Sequence, residues 1–156
     1  MAAGDRDFRL FLAVIKYLGE NRDPFTYIQT SDLVELILPQ RRDPDARKNV
    51  RVMYSYVQFL EGIGYVKLGT PTLDSNCSVE LTPLGEMFVQ PELAQLQNPG
   101  LLSEMLDAVE KQVLTYSMDD ADRNGFLFRF REALARKAPE LAIQLLFEFL
   151  KHKAGG

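Results

Sequence analysis

One cysteine, one histidine and no tryptophan occur in 156 residues. With Cys77 alone no disulfide can close, and Cys77 with His152 cannot make a Cys/His zinc site within one chain. Catalytic triads and zinc-bound water also need a placed His or Cys, so these counts argue against most enzymes. Cys77 reads as a small apolar filler. His152, in "KHKAGG", reads as a solvated tail residue. Long apolar runs are missing too: nothing approaches the ~20 residues that span a bilayer, so no membrane segment is expected. The opening "MAAGDRDFRL" mixes acids with bases and offers no basic region ahead of its apolar run, which points to the cytoplasm. Two-carboxylate chemistry has 22 acids to draw on, yet no pair stands out of an apolar stretch as a raised-pKa acid would. No catalytic, cofactor or metal residue is assigned.

What is present is a chain of ordinary composition, 46% hydrophobic and 26% charged, with a formal net charge of −4. That length fits one domain, or a small domain with an appendage, and suffices to bury a core. The run "DFRLFLAVIKYLGE" sets Phe8, Phe11, Leu12, Ile15 and Leu18 at helical spacing, which predicts a first helix. "FTYIQ" is short, aromatic and β-branched and predicts a brief strand. "TSDLVELILP" begins with oxygen-bearing side chains suited to capping a helix start, and Pro39 ends that short second helix. Asp43, followed by Pro44, predicts the start of a third helix over about 44–61, closed by the glycines of "EGIGY".

Two alternating stretches, "YVKLG" and "CSVELT", flank the turn-rich "TPTLDSN" and predict a hairpin over about 65–82. Thr82 with Pro83 predicts another helix start, carrying Met87, Phe88 and Leu93. "QNPG" then interrupts the chain. Beyond it, Leu102, Met105, Val109, Val113 and Tyr116 form one helical stripe. Phe126, Phe130, Leu134, Leu141, Leu145 and Phe149 form another. The fold class expected is mainly α with a small β-hairpin (α+β).

Helix, short strand, helix, long helix and hairpin, with "LEGIGYVKL" running into "VELTPLGEMF", resembles the winged-helix class of helix-turn-helix domains. The pairing is similar to the wing of MarR-like and PadR-like bacterial transcription regulators. The resemblance covers roughly residues 8–90. It implies a winged-helix domain over 1–96, whose third helix enters the DNA major groove. It also implies a C-terminal helical region over 97–156 that joins two subunits into a homodimer.

The run "RRDPDARKNVR" holds five of the 18 Lys and Arg residues. At about 100° per residue, Arg47, Lys48, Arg51, Ser55 and Gln58 fall within one arc of about 100°, which no apolar residue enters. Val50, Val52, Met53, Tyr54, Tyr56, Val57, Phe59 and Leu60 fill an arc of about 220°, wide enough to predict burial on two sides. Cations neutralise phosphates, and Arg and Gln also bond base edges, so the strip suits duplex DNA. Arg47, Arg51 and Gln58 are expected nearest the bases, Lys48 and Ser55 nearer the backbone, and Arg41 with Arg42 on flanking phosphates. The other readings are a protein-binding face and a merely solvated one. "GTPTLDSN" carries Asp74 and no base, and residues 1–90 hold 10 basic and 12 acidic residues, a net −2, which supports the protein partner as the alternative while duplex DNA stays the first expectation.

"DADRNG" (120–125) matches the first half of a calcium-loop pattern, but Arg131 stands where the pattern wants a bidentate Glu. The expectation is an acidic turn in which Asp122 or Asn124 caps the next helix. The apolar face of "PELAIQLLFEFLKHK" is expected in a core or subunit interface, not on a membrane.

Overall fold

A computed structural model of the chain describes residues 8–21, 25, 27–37, 39–115, 119–136 and 138–153. Tyr116 lies outside the described residues, as do the side chains of Phe8, Leu93 and residues 150–153. The described chain is mostly helical, with one two-stranded antiparallel sheet.

Helix α1 (Phe8–Glu20) buries Phe11, Val14, Ile15 and Leu18, the spacing that puts one face on a core. Among the described residues before the next helix, 25 and 27–29, no strand forms. They form a single bridge, Gln29 to Ser78, with the Ile28 carbonyl accepting from Val79 N–H (2.8 Å) and Thr30 N–H donating to the Cys77 carbonyl (2.9 Å). Pairing stops there because helix α2 (Thr30–Leu33) begins at the next residue. Gln29, not Thr30, is the N-cap, and the Asp32 carboxylate accepts Gln29 N–H (2.9 Å). Thr30 is buried, its hydroxyl donating to the Cys77 carbonyl (3.2 Å). Helix α2 tightens into a 3-10 turn over Val34–Leu36, and a second 3-10 turn occupies Pro39–Arg41.

Helix α3 (Ala46–Ile63) starts two residues later than Asp43 and Pro44 suggested. The Asp43 carboxylate accepts Asp45 N–H (2.8 Å), and Asp45 is the N-cap, its carboxylate accepting Arg47 N–H (3.0 Å). At the far end Gly64 takes a left-handed φ of 108°, and its N–H closes on the Leu60 carbonyl. Strands β1 (Val66–Leu68) and β2 (Val79–Leu81) then pair Val66 with Leu81, Lys67 with Glu80 and Leu68 with Val79. Val66 and Val79 face the core while Lys67 and Glu80 face solvent, so the expected hairpin and its alternation both stand.

Thr82 is the predicted cap. Its hydroxyl accepts Gly85 N–H (3.1 Å) at the start of α4 (Pro83–Glu86) and donates to the Gly64 carbonyl (2.5 Å). Helix α5 (Pro91–Gln97) follows, then α6 (Leu101–Leu114), α7 (Asp120–Ala135) and α8 (Pro139–Lys153). Residues 120–125 are the first turns of α7, capped by Asp119 through Ala121 N–H (3.0 Å), so the turn expected there is corrected to helix. Neither Asp122 nor Asn124 is a cap. His152 stands in the last turn of α8 and not in a tail. No helix among the described residues is long and apolar enough to cross a membrane.

The stripe on α6 and the first half of the next are as expected, with Met105, Val109, Val113, Phe126, Phe130 and Leu134 buried. On α8 the phase shifts. Ala142, Ile143, Leu146 and Phe149 are buried and Leu141 is exposed, because α7 ends at Ala135 and α8 starts afresh at Pro139, so one helical period does not run through both. Phe126 and Phe149 stack across α7 and α8, ring centroids 4.3 Å apart.

One cluster of buried residues runs from Phe11 to Phe149, so the regions 1–96 and 97–156 share a core. Its centre is aromatic. Tyr65 meets Phe88 at 5.0 Å and Phe11 at 5.6 Å, Phe88 meets Phe147 at 6.0 Å, and Tyr65 donates to Gln112 Oε1 on α6 at 2.7 Å. Gly85 is buried where α4 presses on the hairpin, and a β-carbon there would overlap the Tyr65 carbonyl oxygen and crowd Leu81. Gly85→Ala is therefore expected to cost about 2–3 kcal/mol and to lower Tm by roughly 5–10 °C. An unchanged Tm by circular dichroism would show that this junction yields easily.

Candidate nucleic-acid interface

Five of the seven residues expected to contact DNA stand together. Arg47, Lys48, Arg51, Ser55 and Gln58 are all exposed on α3. The opposite face holds the buried residues Asn49, Met53, Tyr56, Val57, Leu60 and Ile63, which by helical projection span about 120°. Burial on two sides is thus overturned: one ordinary packing face is buried, with half-buried Val50, Tyr54 and Phe59 and exposed Val52 on its margins. Tyr56 lies inside the core, so only Tyr54 and Phe59 remain as aromatics near this surface.

Arg41 and Arg42 part company. Arg41 is exposed at the end of its 3-10 turn. Arg42 turns onto backbone, its Nε donating to the Ile37 carbonyl (2.8 Å) and its Nη2 to the Glu35 carbonyl (2.6 Å). A guanidinium fork spanning two carbonyls holds the end of the α2 segment. Its side chain is an anchor for the loop that carries Arg41.

Asn49 is the residue that one-dimensional reading missed. It is buried among apolar neighbours, donating through Nδ2 to the Asp43 carbonyl (2.8 Å) and accepting Asp43 N–H through Oδ1 (2.7 Å). This two-way clasp folds the loop before α3 back against the helix. The signal was available: an asparagine stood inside the apolar arc, where a polar group needs a partner.

The electrostatics favour display of positive charge. Residues 41–51 hold five bases and two acids, a local +3 on a chain of −4. Among the described residues, the side chains of Arg41, Arg47, Lys48 and Arg51 make no ion pair or hydrogen bond. The nearby acids are occupied. Asp43 and Asp45 accept backbone N–H groups within the loop and cap, and the Glu61 carboxylate accepts Leu68 N–H (2.9 Å). Among the described residues the strip therefore has no counter-ion in contact, and it can pair with an external anion.

The hairpin loop beside it has different chemistry. Residues 69–78 carry no Lys or Arg, Leu73 is fully exposed and Asp74 follows it. Ser75 adopts a left-handed φ of 63° in a turn closed by Ser75 N–H on the Thr72 carbonyl (3.0 Å) and Thr72 N–H on the Asn76 carbonyl (2.8 Å). Asn76 ties the loop to α2, accepting Ser31 N–H (3.0 Å) and donating to Gln29 Oε1 (2.7 Å). Loop and α2 start thus form one fixed edge.

Anchoring and displayed residues should separate in stability. Asn49→Ala orphans both backbone groups of Asp43 and is expected to cost about 2 kcal/mol, whereas Arg47→Ala should stay within about 0.5 kcal/mol. Urea unfolding measures both, and equal costs would contradict the division. No protein-family model, curated protein or solved structure matches the chain.

Proposed function

We propose that this protein is a cytoplasmic winged-helix regulator that binds duplex DNA through the exposed strip of α3, without catalysis. The observation that carries this reading is the strip itself: Arg47, Lys48 and Arg51 in one arc with Ser55 and Gln58, none of the cations matched by an acid among the described residues. Support also comes from the order of elements, with the antiparallel hairpin following α3 and the 27–30 segment bridging onto β2.

An 18-residue helix fits a DNA major groove, and its N-terminal half is the part that faces base edges in helix-turn-helix docking. Arg47 and Arg51 are the base readers, with Gln58 further along the helix. Lys48 and Ser55 serve the backbone, Arg41 a flanking phosphate. Arg42 contributes by fixing the loop. Because the body is acidic, binding rests on this patch alone and weakens as salt screens it.

A second reading is a winged-helix module that docks on another protein. The hairpin apex favours it, since Leu73 is fully exposed beside Asp74 with no base in the loop. Such an apex offers an apolar anchor and a negative charge but nothing for phosphate.

The homodimer belongs to the first reading, because two-fold operators call for two copies. Much of the apolar surface of α6, α7 and α8 is consumed in the chain's own core. Leu114, Phe128 and Leu141 remain exposed on those helices and are the residues available to a second copy.

Two experiments test the proposal. Arg47→Ala with Arg51→Ala should abolish the gel shift of a bound duplex and leave the circular dichroism spectrum intact; unchanged binding removes α3 from the site. Light scattering at micromolar concentration should give twice the chain mass, and a monomer mass would refute the dimer.

A further inference from the structure

Val52 is the large apolar side chain of α3 that stands exposed, outside both the core and the polar strip. Val52 is 43% exposed, whereas Met53, Tyr56, Val57, Leu60 and Ile63 are buried and Val50, Tyr54 and Phe59 are half-buried. In projection it lies about 40° beyond Lys48 and about 60° beyond Ser55, with half-buried Phe59, two turns further on, between it and Lys48. It sits in the second turn of the helix, directly after Arg51.

Local stability gives no reason for valine there. A β-branched residue is a poorer helix former than the straight-chain polar residues that suit an exposed position. What valine supplies is a pair of γ-methyl groups on a side chain whose χ1 is nearly fixed in a helix, so little freedom is lost when those methyls are covered. Among the edges that the DNA major groove presents, only thymine carries a methyl group, and apolar side chains recognise it by contact. Arginine and glutamine can read purines, but none of the strip residues offers an apolar surface to a thymine.

We infer that Val52 is a specificity-determining residue that meets the 5-methyl group of one thymine in the duplex held by α3. The inference rests on the DNA-binding reading and deepens it. Arg47, Lys48 and Arg51 set the helix against phosphates and bases, and Val52, at the edge of that contact, selects T over C at a single position. Its contribution is independent of salt, because it neutralises no phosphate.

The experiment starts from duplexes selected by the intact protein from a random pool. Each enriched thymine is replaced in turn by deoxyuridine, which removes the methyl and leaves every hydrogen-bonding group in place. Binding is followed by fluorescence anisotropy. One position is expected to lose about fourfold in affinity, the value of one buried methyl. With Val52→Ser, thymine and uracil should bind alike at that position, while the salt slope and the thermal melt stay those of the unsubstituted protein. A site with no uracil-sensitive thymine overturns the inference even though DNA binding stands, as does sensitivity that survives in Val52→Ser. If the pool yields no enriched duplex, the DNA-binding reading fails and the inference falls with it.

Discussion

Tyr65 is where the parts of this chain are joined. Its ring is buried against Phe11 of α1 and Phe88 after α4, and its hydroxyl donates to Gln112 of α6. Its carbonyl accepts Thr82 N–H (3.1 Å) at the foot of the hairpin, directly over Gly85. Because this residue also follows the left-handed Gly64, it fixes the angle at which the chain leaves α3 and enters β1. The direction of the hairpin and the tilt of α3 are thus set by one aromatic in a packed interior that yields little. The C-terminal helices enter the same cluster, so the surface of α3 is presented by the whole molecule.

On that frame the charge is distributed unevenly. The chain is acidic overall, yet residues 41–51 carry a local excess of three positive charges. The nearby Asp43, Asp45 and Glu61 are held by backbone N–H groups, which leaves Arg41, Arg47, Lys48 and Arg51 without an acid in contact among the described residues. Such an arrangement binds anions without first breaking internal ion pairs. The proposed binding surface is thereby limited to one helix and its preceding loop, since the hairpin apex offers Leu73 and Asp74 in place of cations.

Much of this was legible in one dimension, and the failures have physical causes. The hairpin was readable because alternation has a period of two, and the Thr82–Pro83 start because capping is a local act. The exposed strip was readable because a 3.6-residue period places five polar residues on one arc. The start of α3 was misplaced by two residues because Asp43 and Asp45 are equal as caps in sequence. The fold-back of Asn49 onto Asp43 and the Asp43–Asp45 contact favour the second. The anchoring bonds of Arg42 were not legible because its partners are backbone carbonyls, which have no identity in a sequence. Leu141 was placed in the core because one helical phase was carried across the end of α7 at Ala135 and the new start of α8 at Pro139. The width of the buried face of α3 was overestimated because residue type does not distinguish a buried valine from the exposed Val52.

The central claim is that a local patch of unpaired cations binds duplex DNA on an otherwise acidic body. Its most direct measure is the salt dependence of duplex binding. Arg41 and Lys48, the two cations given to phosphates, each displace a counter-ion and predict a log–log slope of about −1.8 per bound protomer, with binding strong at low salt and lost as salt rises. A chain that binds no duplex at any salt, or whose binding is indifferent to salt, would contradict the claim and leave the hairpin apex and its protein partner as the surviving account.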